Sequence, residues 1–218
     1  MFIPLKDLNP RRSVPFMTVL LILANVAAFA YQLTLTRGAE QTLAFTYGMV
    51  PNHFPALLAG QGDLLATSLS MVTSMFLHGG LLHLAGNMLF LWIFGDNVED
   101  FLGHFSFLLF YFVCGIAAGL LHVLTNLHSS MPALGASGAI SGVMGAYVVL
   151  YPRSRILTLI FIFLVPIPAV VILGWWFVLQ FLSGMSTLGM RTAGGVAWWA
   201  HVGGFLMGMA LTIGARRR

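Results

Sequence analysis

Residues 78–100, HGGLLHLAGNMLFLWIFGDNVED, combine an apolar run of helical length with polar side chains inside it. No Asp, Glu, Lys or Arg interrupts this stretch before Asp96, and a helix needs about 20 apolar residues to span a membrane. The stretch therefore predicts a membrane helix that ends near Asp96. It also places His78, His83 and Asn87 in or next to lipid, where polar groups are costly and usually have a function.

The composition of the whole chain agrees with a membrane protein. Of its 218 residues, 59% are hydrophobic and only 7% are charged, and the mean hydropathy is +0.92. Soluble domains carry roughly 25% charged residues, so this chain has too few charges to cover a water-soluble fold. The one cysteine, Cys114, excludes an intrachain disulfide bond.

The uncharged runs predict an all-α, polytopic membrane protein with six transmembrane helices. The predicted helices lie at 13–36, at 74–95, twice within 101–152 with a reversal at 126–132, at 156–176, and from about 195 to the terminal arginines. Residues 38–73 are predicted to form an external loop with amphipathic pieces. Pro166 and Pro168 should bend or end the fifth helix early. The predicted organisation is an N-terminal segment at 1–12, a membrane domain at 13–215 and a basic end at 216–218.

The basic residues predict the orientation of this bundle. Six helices put both termini on one side, and eight of the ten Lys and Arg residues then lie there: Lys6, Arg11, Arg12, Arg153, Arg155, Arg216, Arg217 and Arg218. The positive-inside rule therefore predicts cytoplasmic termini, and it explains the basic balance without nucleic-acid binding. Because neither a cleavable signal nor an organelle-targeting extension is recognisable, the cytoplasmic membrane of a prokaryote is the expected location.

Three of the predicted helices carry polar residues at matching depths. Ser137, His201 and His83 lie sixteen, fifteen and thirteen residues before the charged residue that ends each helix. At 1.5 Å per residue, these separations correspond to about 24, 22 and 20 Å. Because the three helices run in the same direction, the side chains fall in one layer, with Asn87 one turn after His83.

This layer has the residues that nucleophilic catalysis needs. A serine hydroxyl becomes a nucleophile when a neutral histidine takes its proton, which suits Ser137 and His201. Attack on a carbonyl creates an oxyanion, for which His83, Asn87 and the backbone N–H of Ser137 are candidate donors. All six Asp and Glu residues lie in predicted loops or helix ends, so a Ser–His dyad without an orienting acid is predicted. Without an HExxH motif, or a thiol or acid beside the histidines, no metal site is expected.

Each of these features alone also has a structural explanation. A serine in a membrane helix usually packs or bonds to its own backbone, and a lone histidine usually satisfies a local bond. Gly204 and Gly208 share a face with His201 and form a GxxxG motif, which is typical of close helix packing. The matched depth favours chemistry over these explanations. The remaining histidines near predicted ends or loops are expected to be uninvolved: His53, His104, His122 and His128.

Three motifs together resemble the rhomboid family of intramembrane serine proteases. They are GxSG at 135–138, H-x4-H-x3-N at 78–87 and H-x2-G-x3-G at 201–208, and the resemblance covers most of the chain. It implies a six-helix rhomboid-like bundle in a lipid bilayer that cleaves transmembrane protein substrates in or next to their membrane segments. Neither a metal nor a cofactor is implied, and no oligomeric state is predicted.

The resemblance also implies roles for individual residues. Ser137 is expected to be the nucleophile and His201 the general base, with His83 and Asn87 stabilising the oxyanion and His78 structural. Many relatives place an aromatic residue four positions after the nucleophile, where this chain has Ser141. The Ser141 hydroxyl either supports His201, by a hydrogen bond or a held water, or serves only as small packing, and both interpretations stay open.

A second departure lies in the first loop, where many relatives carry a Trp-Arg pair and this chain has LSMV at 69–72.

Two functions other than proteolysis also remain open. One is a catalytically inactive rhomboid-like protein that binds transmembrane clients. The other is a channel or transporter that uses the polar layer as a pathway.

Overall fold

The computed structural model describes residues 2–187 and 196–216. The helices are α1 Phe16–Leu33, α2 Arg37–Tyr47, α3 His53–Leu58, α4 Leu64–Thr73, α5 Leu81–Leu102, α6 His104–Thr125, α7 Ser137–Leu150, α8 Ala169–Thr187 and α9 Trp198–Arg216. The strands are β1 Phe2–Asp7, β2 Arg155–Ile160 and β3 Phe163–Pro168. Among the described helices, α1, α5, α6 and α8 are long and apolar enough to cross a membrane. The prediction of a mostly helical, polytopic membrane protein is confirmed.

Successive long helices run in opposite directions, so the bundle has two distinct ends. The sheet end carries β1, β2 and β3, together with the start of α1 and the last turns of α5 and α9. The loop end carries α2, α3 and α4, which are the predicted amphipathic pieces of the first loop. Since α5, α7 and α9 all run from the loop end toward the sheet end, their first turns lie side by side.

The start of α1 is held by a buried carboxylate of α5. Glu99 is fully buried and accepts hydrogen bonds from the backbone N–H groups of Met17 and Thr18, each at 2.8 Å, and from the Thr18 hydroxyl at 2.6 Å. The same carboxylate also contacts the His104 ring, through Oε1 of Glu99 and Nδ1 of His104. The first N–H groups of a helix have no partner within it, so this carboxylate both caps α1 and ties it to α5.

These contacts explain why the second membrane helix lies later than the predicted 74–95. Charged side chains were expected to end the helix near Asp96, but the buried partners of Glu99 let α5 continue to Leu102. Gly103 then ends it with φ of 80°, a conformation that favours glycine. At the other end, residues 74–76 form a separate 3₁₀ turn before α5 begins at Leu81.

Residues 155–168, RILTLIFIFLVPIP, form a β-hairpin where the first half of the fifth helix was predicted. β2 is the central strand and pairs antiparallel with β1 on one side and β3 on the other. A continuous apolar run does not distinguish a strand from a buried helix, and the predicted bounds of 156–176 are therefore wrong. Pro166 and Pro168, which cannot donate a ladder hydrogen bond, lie in β3 at the sheet edge, where proline is tolerated.

The helix that replaces the predicted one, α8, begins directly after Pro168 and extends to Thr187. The loop predicted to reach about residue 194 is therefore helical in its first half, and its part at 188–195 lies outside the described residues. Residues 217 and 218 of the predicted basic end also lie outside them. Within the first loop, the LSMV stretch at 69–72 belongs to α4.

Candidate active site

A glycine turn delivers Ser137 to the start of α7. Gly135 has φ of 122°, and its backbone N–H donates to the carbonyl oxygen of Ser74 at 2.9 Å. A Cβ at this position would lie 2.8 Å from Nε2 of His83, so the chain passes this ring too closely for a side chain. Ser137 follows as the first residue of α7, where a backbone N–H has no partner within its helix.

Glycines bring α7 and α9 into backbone contact. A Cβ on Gly204 would overlap the carbonyl oxygen of Gly138, and a Cβ on Gly208 would overlap that of Gly142. The predicted packing glycines of α9 thus face glycines of α7. Because the two helix backbones touch from Gly138 onward, directly after Ser137, the side chain of His201 reaches across to Ser137.

The structure places Ser137 and His201 in direct contact. The Oγ atom of Ser137 lies 2.8 Å from Nε2 of His201, within hydrogen-bond distance. The histidine is only 8% exposed. The sequence predicted only that Ser137 and His201 lie at the same depth, and the structure shows that their side chains contact each other.

The other ring nitrogen of His201 has a partner that the sequence analysis missed. Nδ1 lies 2.6 Å from Oε1 of Gln180, which is itself buried. The ring of Trp176 lies beside that of His201, with centroids 5.8 Å apart and planes inclined by 36°. Both residues come from α8, and Gln180 was missed because the predicted fifth helix ended at residue 176. The sequence signal was the uncharged amide of Gln180 within an apolar run. A predicted helix that extended past residue 180 would have included it.

Ser141 is fully buried one turn below Ser137. Its hydroxyl donates to the backbone carbonyl oxygen of Ser137 at 2.6 Å. Among the described residues, the side-chain hydrogen bonds of His201 go to Ser137 and Gln180, and none goes to Ser141. Ser141 therefore makes the local bond expected of a packing residue, and the aromatic rings beside His201 come from Trp176 of α8 and Trp198 of α9.

His83 and Asn87 line the opposite wall, on successive turns of α5. Nδ2 of Asn87 lies 2.9 Å from Nε2 of His78, and the rings of His78 and His83 meet edge to face with centroids 5.2 Å apart. His78 is fully buried, and Gln32 of α1 bonds both its backbone N–H and its carbonyl group at 3.0 Å. The contact with His78 therefore fixes the side-chain amide of Asn87 on the side away from the cavity. The second N–H of that amide is available to a group in the cavity.

One cavity of about 690 Å³ is lined by Ser137, Ser141, His201, Trp176, His83 and Asn87. Its lining within the described residues contains no Asp, Glu, Lys or Arg. His122, at the end of α6, lines it as well, with its Nδ1 atom 3.3 Å from the side-chain amide nitrogen of Asn126, and its expected lack of a catalytic role stays a prediction. In the part of the chain that the structure describes, no three His, Cys, Asp or Glu side chains are grouped to hold a metal.

The sequence model of the rhomboid domain family matches residues 66–218. The chain belongs to the rhomboid family. The matched range carries every residue of the cavity described above, including those that contact His201. The resemblance in the three motifs is thereby confirmed at the level of the family.

Individual rhomboids are similar over part of their lengths. The chain is 33% identical over 159 residues to Rhomboid protein 1, mitochondrial, of Saccharomyces cerevisiae, covering 68% of this chain and 42% of the relative. It is 31% identical over 150 residues to the human presenilin-associated rhomboid-like protein, mitochondrial, covering 64% of this chain and 36% of the relative. Identity to Rhomboid protease GluP of Bacillus subtilis is 42% over 89 residues, covering 40% of this chain and 17% of the relative. The chain thus spans less than half the length of these relatives.

These relatives correct one prediction. The expected location in the cytoplasmic membrane of a prokaryote is wrong, because the yeast and human rhomboids are mitochondrial by name. The cytoplasmic side predicted for both termini falls with that expectation, since it was part of the same inference.

Proposed function

We propose that this rhomboid is a serine endopeptidase that hydrolyses peptide bonds in or next to transmembrane segments of other proteins. The observation that carries the proposal is the 2.8 Å contact between Ser137 Oγ and His201 Nε2 at the wall of a cavity. A hydroxyl and an imidazole at this distance form a nucleophile and its base. The name of the Bacillus relative, Rhomboid protease GluP, supports the same activity.

The reaction begins with attack by Ser137. As its Oγ bonds to the substrate carbonyl carbon, Nε2 of His201 takes the hydroxyl proton, and the carbonyl oxygen becomes an oxyanion. Collapse of this intermediate breaks the C–N bond, and His201 returns the proton to the leaving amine. Water, activated by the same histidine, then hydrolyses the acyl-enzyme ester and frees Ser137.

The oxyanion is stabilised between α7 and α5. The backbone N–H of Ser137 points out of the first turn of α7, where the helix dipole favours negative charge. His83 and the free N–H of Asn87 face it from α5 across the same cavity. Donors held in place before the reaction stabilise the developing charge without reorganising, which is the main source of catalysis in such sites.

The position of the cavity favours a membrane-embedded substrate. α7 has only 14 residues, so Ser137 lies about 21 Å from the sheet end of the bundle, inside a roughly 30 Å apolar core. Apolar side chains from three helices, Phe90, Met144 and Trp176, line the cavity and suit an apolar substrate residue. Asn126 and Ser129 line it at the loop end, where water reaches the ester.

A serine-reactive fluorophosphonate tests the proposal directly on the purified protein in detergent. We expect wild type to be modified at Ser137, as read by peptide mass spectrometry, and Ser137→Ala to be unmodified. Ser129→Ala is the matched control, since this serine lines the cavity without a histidine on its hydroxyl. Wild type that stays unmodified, while an active serine protease is labelled alongside, would favour a rhomboid that only binds transmembrane clients.

The oxyanion assignment makes a separate prediction. Asn87→Ala is expected to lower kcat about 100-fold, because one preorganised donor is lost, with a smaller effect on KM. Asn126→Ala is the control, as this amide lines the cavity but bonds to the His122 carbonyl oxygen of its own helix. Steady-state cleavage of a transmembrane peptide measures both variants. Equal rates for Asn87→Ala and wild type would remove Asn87 from the catalytic apparatus.

A further inference from the structure

Gln180 is a buried amide in an otherwise apolar stretch of α8. Its neighbours in GWWFVLQFL, residues 174–182, are apolar, and the Gln180 side chain is only 8% exposed. An amide removed from water is costly unless it is hydrogen-bonded. The Oε1 atom of Gln180 lies 2.6 Å from Nδ1 of His201, so this bond accounts for the placement of the amide.

The chemistry of this bond selects one form of the histidine. An amide oxygen only accepts hydrogen bonds, so Nδ1 of His201 must carry the proton. In the neutral ring, Nε2 then has a free lone pair. That lone pair faces Ser137 Oγ at 2.8 Å, in the protonation state that a general base needs.

We propose that Gln180 is a positioning residue, which fixes His201 as the Nδ1–H tautomer ready to take the proton of Ser137. This inference rests on the proposed peptidase function. In the serine proteases with a triad, a carboxylate performs this task for the histidine. Here a neutral amide performs it, and no ion is added to the membrane interior, where a charge is expensive.

A second side chain of α8 reinforces the same arrangement. Trp176 lies one helical turn before Gln180, on the same face, and its ring packs beside His201. Gln180 thus fixes the edge of the imidazole that carries Nδ1, while Trp176 limits the tilt of the ring. The orientation of the base therefore depends on α8, although the nucleophile and the base lie on α7 and α9.

The other titratable groups that face His201 across the cavity are also histidines. His83 projects from α5 and His122 from α6, and no carboxylate lines the cavity within the described residues. Gln180 is the acceptor that the structure gives to Nδ1. A carboxylate introduced at position 180 would therefore be the one anion beside His201 among the described residues, so a shift in the pH profile can be assigned to it.

Three variants test this role in the purified protein. Gln180→Leu removes the acceptor, and Gln180→Glu keeps an acceptor oxygen and adds charge. Asn25→Leu controls for loss of a buried amide, since the Asn25 side chain donates to the Leu21 carbonyl oxygen of its own helix, α1, and is not among the residues that line the cavity. The readouts are the rate of fluorophosphonate labelling of Ser137 against pH, and nitrogen NMR shifts that report the His201 tautomer.

We expect Gln180→Leu to label about 10-fold more slowly than wild type and to gain the Nε2–H tautomer. Gln180→Glu should retain rapid labelling, with the acidic limb of its profile moved to higher pH, because a carboxylate favours the imidazolium. Asn25→Leu should follow the wild-type profile. If Gln180→Leu does not fold, Gln180→Glu decides alone.

Two outcomes would overturn the inference and leave the peptidase proposal standing. One is a Gln180→Leu protein that labels at the wild-type rate with the wild-type tautomer. The other is a Gln180→Glu protein whose pH profile is unmoved. Failure of the peptidase proposal looks different, because wild type itself would then show no labelling that depends on Ser137.

Discussion

Replacing His201 with alanine is expected to lower the rate of transmembrane-peptide cleavage at least about 10³-fold. The loss is large because no other described base contacts Ser137: the histidine lies 2.8 Å from its Oγ atom, and the cavity holds no carboxylate among its described lining residues. Cleavage in proteoliposomes measures the rate, and circular dichroism reports whether the helical fold persists.

His122→Ala is the matched control for this experiment. His122 lines the same cavity from α6, but the hydrogen bonds of its side chain go to Asn126 rather than to Ser137. We expect its rate to stay within about threefold of wild type, as for a residue outside the reacting pair. Equal losses in both histidine variants would assign the effect to the cavity as a whole and contradict a specific base.

Replacing Gly204 with alanine is expected to have the second large effect, on stability and activity together. A Cβ there overlaps the carbonyl oxygen of Gly138, which is backbone and cannot rotate away. Overpacking of this kind costs about 1–3 kcal/mol, and the helices must move apart to relieve it. Because the Ser137–His201 contact spans these two helices, the same movement separates the nucleophile from its base.

Gly214→Ala, on the same helix, is the control for that substitution. A Cβ at Gly214 meets nothing within 4 Å, so alanine should be neutral or stabilising through its better helix propensity. Thermal unfolding in detergent and fluorophosphonate labelling measure both variants. A Gly204→Ala protein as stable and reactive as Gly214→Ala would show that the contact between the helices does not require glycine.

The layer of polar side chains was predictable from the sequence because helical rise is regular. Ser137, His201 and His83 were placed at one depth by counting from charged ends, and the structure brings all three to one cavity. The spacing of Gly204 and Gly208 likewise predicted a close helix contact, although not that its partners would be glycines of α7.

The β-hairpin and Gln180 were not predictable, and for one shared reason. An apolar stretch followed by two prolines is compatible with a helix that ends early and with a strand pair that precedes a later helix. The predicted fifth helix at 156–176 therefore begins and ends too early compared with α8, Ala169–Thr187, and residue 180 falls in the predicted loop. The pairing of β1 with β2, which joins residues about 150 positions apart, has no local signature.

The wrong prediction of the membrane in which the protein lies has a different cause from the missed β-hairpin. Charge bias reports which side of a membrane the loops occupy, but it carries no information about which membrane the protein inhabits. The yeast and human relatives are mitochondrial by name, which contradicts the expected location, and nothing in the residues alone indicated this. The bundle and its site are unaffected by this correction, since different bilayers impose similar requirements on helix length.

The most direct test of the peptidase proposal is cleavage of a transmembrane substrate by the purified chain in proteoliposomes. A panel of single-span membrane segments is incubated with wild type and with Ser137→Ala, and new termini are mapped by mass spectrometry. The proposal predicts that wild type cuts at least one segment within or next to its membrane span, and that Ser137→Ala cuts none. A segment cut equally by both proteins would contradict Ser137 as the nucleophile.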